Sequence, residues 1–181
     1  FVDARGTPLP SGVRLTLHGD HQRANARVAV ATFETFCREV GRQSDSSAIR
    51  HGLEAVRWPG RLQLVPGRPS ILLDGAHNVA GAEALAAHLA LRAGPKPVLL
   101  FAAMSDKDVA GILGPLIPHV ASIVATKPDV LRVAASGDVA SVARALGLSA
   151  RAEIEPARAL EQARNLAGVD GVVLVAGSLY L

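Results

Sequence analysis

From Trp58 onward the sequence alternates short apolar runs with stretches of helical periodicity, and this alternation narrows the fold more than any other feature. Val98-Leu99-Leu100-Phe101 and Val172-Val173-Leu174-Val175 are apolar without a break, which suits strands covered on both faces. Strands of this kind, separated by helices, imply crossover connections and a mainly parallel sheet. The pattern predicts strands at 61–65 and 70–74 joined by Pro66-Gly67-Arg68-Pro69, then at 98–101, 120–125, 152–154 and 171–176. Helices are expected at 79–93, stopped by Gly94-Pro95, and at 108–117, 138–146 and 156–167. The expected fold class is α/β, a Rossmann-like, mainly parallel sheet flanked by helices. Ligands of such sheets bind beyond the carboxyl ends of the strands, so chemistry is sought in the loops there.

The N-terminal stretch has another texture. A turn-rich entry with Pro8, Pro10 and Gly12 leads into alternating Val13-Arg14-Leu15-Thr16-Leu17, expected as a short strand. Ala24, Val28, Ala31 and Phe36 are spaced for a helix over 21–40, which Gly41 would end. The small, polar segment 41–47 reads as a boundary, giving expected units 1–43 and 44–181, and a second short helix is expected at 47–56.

Composition excludes several functions. With 181 residues and 49% hydrophobic content the chain can bury a sizeable core. No apolar run approaches the roughly 18 residues of a membrane span, and the opening Phe-Val-Asp-Ala-Arg-Gly-Thr-Pro lacks the parts of a signal peptide. The single cysteine, Cys37, has no partner for an internal disulfide, in keeping with a cytoplasmic location. The net charge of +3 comes from 19 basic and 16 acidic residues that are interspersed, and aromatics are 3% of the chain, so no nucleic-acid footprint is expected. A start at Phe1 and an abrupt end after Leu179-Tyr180-Leu181 read as a piece of a longer protein.

The strongest chemical signal is Ile71-Leu72-Leu73-Asp74-Gly75-Ala76-His77-Asn78, an apolar strand ending in an acid, a histidine and an amide ahead of a helix. A carboxylate and an imidazole there can hold an ammonium group or accept its proton; equally, Asp74 can cap the turn while His77 or Asn78 caps the helix. Arg61 follows the rigid turn Trp58-Pro59-Gly60 and is a candidate for phosphate or carboxylate, or else an exposed arginine beside a core Trp58. In His18-Gly19-Asp20-His21-Gln22-Arg23-Ala24-Asn25, polar groups gather at a helix start, with Asn25 placed to bond a nucleobase or ribose, or simply to join the capping. Met104-Ser105-Asp106-Lys107-Asp108 offers Lys107 to a phosphate or to a solvated ion pair. Ser178, after the last strand, has a hydroxyl for a carboxylate, or sits in a plain turn. No Cys/His cluster suggests a metal site. Glycine-rich phosphate loops and a Gly-x-Ser-x-Gly nucleophile turn are absent.

Leu-His-Gly-Asp-His-Gln-Arg-Ala-Asn-Ala at 17–26, Trp-Pro-Gly-Arg at 58–61 and Leu-Leu-Asp-Gly-Ala-His-Asn at 72–78 together resemble the folylpolyglutamate synthase/dihydrofolate synthase family, in order. Ala-Met-Ser-Asp-Lys-Asp at 103–108 and Ala-Gly-Ser-Leu-Tyr-Leu at 176–181 extend the resemblance over nearly the whole chain. Gly75 stands where cell-wall members of the Mur ligase superfamily usually carry tyrosine, favouring the folate branch. Val79 replaces a common proline, and Pro128-Asp129-Val130-Leu131-Arg132-Val133-Ala134 stands where the family often has Pro-Arg-Ala.

The resemblance implies a Mur ligase C-terminal domain preceded by the end of a central ATP-binding domain. It also implies ATP-dependent addition of L-glutamate to dihydropteroate or folates through an acyl phosphate. Asn25, Arg61 and Asp74 match ATP-contacting positions, Asp74 and His77 the pair that handles the incoming glutamate, with His77 and Ser178 on the substrate side. The phosphate loop and the ligands of Mg2+ are expected in an N-terminal region this chain lacks, so the chain alone should be inactive. A cytoplasmic monomer with neither nucleic acid nor membrane as partner is expected. Another amino-acid ligase of the superfamily and a stand-alone nucleotide- or partner-binding module remain as alternative readings.

Overall fold

Six strands pair into one sheet in the computed structural model, which describes residues 6–17 and 19–181. They are β1 (Gln63–Val65), β2 (Ser70–Leu73), β3 (Val98–Phe101), β4 (Ser122–Ala125), β5 (Ala150–Ala152) and β6 (Val172–Ala176), in the spatial order β1-β2-β6-β3-β4-β5. Among these six strands β1 and β2 form an antiparallel hairpin, and β2–β6, β6–β3, β3–β4 and β4–β5 pair in parallel. The connecting helices are α3 (Val79–Ala90), α4 (Val109–Leu116), α5 (Ser136–Ala145) and α6 (Pro156–Ala167).

Strand order dictates which face each helix covers. The steps from β2 to β3, β3 to β4 and β4 to β5 run one way across the sheet, and the step from β5 to β6 runs back. Right-handed crossovers therefore put α3, α4 and α5 on one face and α6 on the other. Two apolar clusters follow. Leu99, Phe101, Ile123 and Leu174 meet Leu85, Ile112 and Val139 on the first face. On the second, Val98, Leu100, Val124 and Val173 meet Ala159 and Ala163 of α6. Alternate residues of each strand serve opposite clusters, as the pleat requires.

Most expected elements form within a residue or two of their sequence-based limits. The strand expected from Val120 begins at Ser122, because the 3-10 turn Ile117–His119 occupies the approach. The edge strand expected at 152–154 pairs instead over Ala150–Ala152, after which Glu153 N–H and the Thr126 hydroxyl still tie the segment to β4 and its loop.

Residues up to Trp58 make one compact unit and Pro59–Leu181 another. The first holds α1 (Asp20–Glu39) and α2 (Ser46–Ala55), so α2, assigned by sequence to the second unit, groups with α1. A left-handed Gly41 (φ 66°) ends α1, with Arg42 N–H bonding Cys37 O and Gly41 N–H bonding Arg38 O. Of the apolar residues whose spacing marked the helix, Ala24, Val28 and Phe36 are exposed and Ala31 is buried, together with Gln22, Ala26, Val30 and Cys37. The strand expected at 13–17 does not form. Among the described residues no neighbouring strand satisfies its backbone, and the segment is tethered to α2 by Arg14 N–H to Glu54 Oε1 (3.1 Å) and the Thr16 hydroxyl to Val56 O (2.6 Å). Between this segment, α1 and α2 lies an apolar groove of about 430 Å³ lined by Leu15, Leu17, Val30, Phe33 and Ile49 among others.

Leu174 is fully buried in the central strand. Leu174→Ala is expected to destabilise the chain by about 2–5 kcal/mol, read as a lower denaturation midpoint with an unchanged slope.

Candidate active site at the carboxyl edge of the sheet

The loops after the parallel strands β2, β3, β4, β5 and β6 all leave the same edge of the sheet, and the turn 58–62, which leads into β1, lies there too because β1 runs antiparallel to β2. The loop after β2 is tied on both sides. Gly177 N–H bonds Ala76 O (2.7 Å) and Asp74 N–H bonds Val175 O (3.0 Å), while Gly75 N–H reaches across to Gly60 O (2.7 Å). Gly177 takes φ 96°, and a Cβ there would run into the Ala102 carbonyl and the Phe101 ring, so both conformation and space require glycine.

Asp74 is half-buried, and each of its oxygens accepts a backbone N–H: Leu62 on Oδ2 (3.0 Å) and Ala76 on Oδ1 (2.9 Å). It therefore does cap its turn, and it also staples the 58–62 turn to the loop after β2. An ionised carboxylate has about four acceptor positions, so two remain for a cationic or hydroxyl partner. His77, also half-buried, places Nδ1 2.7 Å from Gly75 O. A carbonyl only accepts, so the proton of the neutral ring sits on Nδ1 and the lone pair on Nε2. Capping of α3 falls to Asn78, whose Oδ1 accepts from Gly81 N–H (2.8 Å).

Arg61 is half-buried, and its guanidinium has no hydrogen bond or ion pair among the described residues. Its neighbours Gly60 (φ 72°) and Leu62 (φ 46°) are both left-handed. For leucine that conformation costs on the order of 1–2 kcal/mol. Trp58 is 63% exposed and does not belong to the core. Ser178 is buried, and its hydroxyl accepts from Tyr180 N–H (3.2 Å), leaving its own proton to donate.

The loop after β3 packs on the segment after β4 through Ser105 N–H to Arg132 O (2.7 Å) and Ala134 N–H to Ala103 O (2.9 Å). Lys107 pairs with Asp106 at 3.1 Å in an exposed bridge. That hydrogen bond holds the Asp106 carboxyl below its ordinary value, with a smaller contribution from the charge of Arg132.

In the first unit, α1 begins at Asp20 with Gly19 at its N-cap and no side-chain cap. Asn25 donates to Gln22 Oε1 (3.2 Å) and is exposed; His18 lies outside the described residues. Thus Arg61, Asp74, His77 and Ser178 gather at one edge of the second unit, and Asn25 stands in the first. Among the described residues no group of three or more His, Cys, Asp or Glu could hold a metal ion, and no helix is long and apolar enough to cross a membrane. Sequence reasoning missed the Asp74–Leu62 bond and the left-handed Leu62, for which no local motif gives a signal.

An α/β domain with an acid and an imidazole on the loop after β2 defines a class, and residues 60–179 match the family "Mur ligase, glutamate ligase domain"; the chain belongs to it. Its relatives there are folylpolyglutamate and dihydrofolate synthases, to whose C-terminal portion it corresponds. It is 37% identical over 170 residues to a probable bifunctional folylpolyglutamate synthase/dihydropteroate synthase of Haloferax volcanii, covering 93% of this chain and 20% of that protein. A folylpolyglutamate synthase of Mycobacterium tuberculosis solved with ADP superposes with a TM-score of 0.82 at 34% identity, over 93% of this chain and 40% of that one. A bifunctional folylpolyglutamate synthase/dihydrofolate synthase with Mn, AMPPNP and L-glutamate bound gives a TM-score of 0.76 at 30% identity, over 93% and 39%. The chain thus spans well under half the length of these relatives.

Two outcomes check the geometry. Asn78→Ala should lower stability by about 1 kcal/mol through loss of the α3 cap, measured by thermal melting. A lowered carboxyl pKa means that the stabilisation is present above the unfolded-state pKa and is lost as pH falls through the folded one. Lys107→Met should therefore move the Asp106 midpoint up toward its ordinary value in an NMR titration, and an unmoved midpoint would refute the pairing.

Proposed function

We propose that this chain is part of an ATP-dependent ligase that adds L-glutamate to dihydropteroate or folyl-polyglutamate. In this reading, Pro59–Leu181 supplies the wall that receives the glutamate, and the first unit is the end of a central ATP-binding domain. The observation that carries the proposal is the orientation of His77. Its Nδ1–H is committed to Gly75 O, so an Nε2 lone pair stands at the ligand edge on the same loop as the Asp74 carboxylate.

An ammonium has no lone pair and cannot attack a carbonyl, whereas the free amine can. Asp74, with acceptor capacity left, attracts the α-ammonium, and His77 Nε2 takes its proton as the nitrogen is brought to the acyl carbon. Ser178, one residue past the Gly177–Ala76 bond, is placed to donate its hydroxyl proton to a glutamate carboxylate. Arg61, half-buried and with no anion paired to it among the described residues, suits the phosphates of ATP; in the first unit, taken by itself, Asn25 suits a nucleoside. When bound, ATP supplies the phosphoryl group that turns the acceptor carboxylate into an acyl phosphate. Mg2+ is assigned to ligands outside this chain. The ligase works as a cytoplasmic monomer.

In the complete ligase, His77→Ala is expected to cut turnover on the order of 10²- to 10⁴-fold with melting little changed. Normal turnover with a lowered melting temperature would leave His77 a structural residue. The 181-residue chain, given ATP, glutamate and a folate, should release no ADP, and release would contradict the division of labour proposed here.

A further inference from the structure

Three interactions converge on the turn that carries Arg61. Gly60 O accepts from Gly75 N–H, Gly60 N–H bonds Gln63 Oε1 (2.9 Å), and Leu62 N–H bonds Asp74 Oδ2. The residues on either side of Arg61 are both left-handed. An arginine between two such residues leaves the backbone in a direction that a relaxed turn would not reproduce. Leu62 is held in its conformation by two things: its side chain is buried in the core cluster that also holds Leu72 and Ala76, and its N–H points at a carboxylate. The core contact fixes where Leu62 sits. The Asp74 bond fixes how its peptide, shared with Arg61, is turned.

We propose that Asp74 is the positioning residue for Arg61, acting through the Leu62 N–H. A carboxylate is suited to this because the two donors it holds, Leu62 and Ala76, lie on different loops, and an acceptor with two equivalent oxygens serves both. One oxygen sets the orientation of the arginine and the other the loop that leads to His77. The anion-side and amine-side groups of the ligase reading thus share a single carboxylate. The inference rests on that reading and adds that Asp74 and Arg61 act as one unit, whatever charge Asp74 also offers to the amine.

A kinetic double-mutant cycle in the complete ligase tests this. Asp74→Asn keeps the shape but presents an NH2 group to one of the two donors. Asp74→Asn and Arg61→Ala are each expected to raise KM for ATP on the order of tenfold, and the double variant to be no more than about threefold worse than the worse single one. Losses that multiply in the double variant would overturn the positioning role. Amide hydrogen exchange in residues 58–64 should accelerate in Asp74→Asn and stay unchanged in His77→Ala, a distinction that general loosening of the loop after β2 would erase. Unchanged exchange in Asp74→Asn would overturn the clamp regardless of activity. Should Asp74→Asn fail to fold, Asp74→Glu, which keeps the charge and displaces the oxygens by one methylene, enters the cycle with the same expectation. An unmodified complete enzyme without glutamate-dependent turnover would count against the ligase reading instead, with the exchange result still deciding the clamp.

Discussion

Strand β6 lies between β2 and β3 and joins the β1–β2 hairpin to the β3–β4–β5 half of the sheet. Its register sets the candidate site. Because Leu73 pairs with Val175 and Phe101 with Ala176, the loops after β2, β3 and β6 leave the sheet side by side, and Gly177 N–H can reach Ala76 O. A one-residue slip would turn Val173 and Leu174 to the wrong faces and exchange the contents of the two apolar clusters. The same burial that makes the sheet stable therefore fixes the relative positions of Asp74, His77 and Ser178. Ligand-binding loops on such an edge borrow their precision from the strands beneath them.

Against this rigid base, the 58–62 turn is locally strained. A leucine with positive φ persists only where its surroundings over-determine it. Here a buried side chain and a carboxylate acceptor do so together, and the half-buried guanidinium beside it stays unpaired among the described residues. By contrast, the opposite charges of Lys107 and Asp106 are satisfied in solvent by each other, and such an exposed pair contributes little to stability.

Much of the second unit was legible because its strands are buried on both faces and its helices carry strong stop signals. Val98–Phe101 and Pro156–Ala167 have the expected limits, and Asp74-Gly75-Ala76-His77-Asn78 was marked as an edge loop by its place between an apolar strand and a helix. The first unit was less legible. Alternation at Val13–Leu17 imitates a strand, but no partner strand stands beside it among the described residues, and periodicity in an alanine-rich helix does not say which face is covered: Phe36 is exposed and Ala26 buried. At the site, residue types announced Asp74 and His77, whereas the tautomer of His77 and the reach of Asp74 to Leu62, twelve residues away in sequence, are tertiary facts. Nothing within a short window of sequence encodes them.

The central claim is that the edge formed by the loops after β2 and β6 receives the amine of glutamate. A structure of the complete protein with L-glutamate and a non-hydrolysable ATP analogue tests it most directly. The account predicts the glutamate nitrogen within about 2.6–3.2 Å of His77 Nε2, with Nδ1 still bonded to Gly75 O. A glutamate amine bound elsewhere, with His77 Nε2 facing solvent, would contradict it.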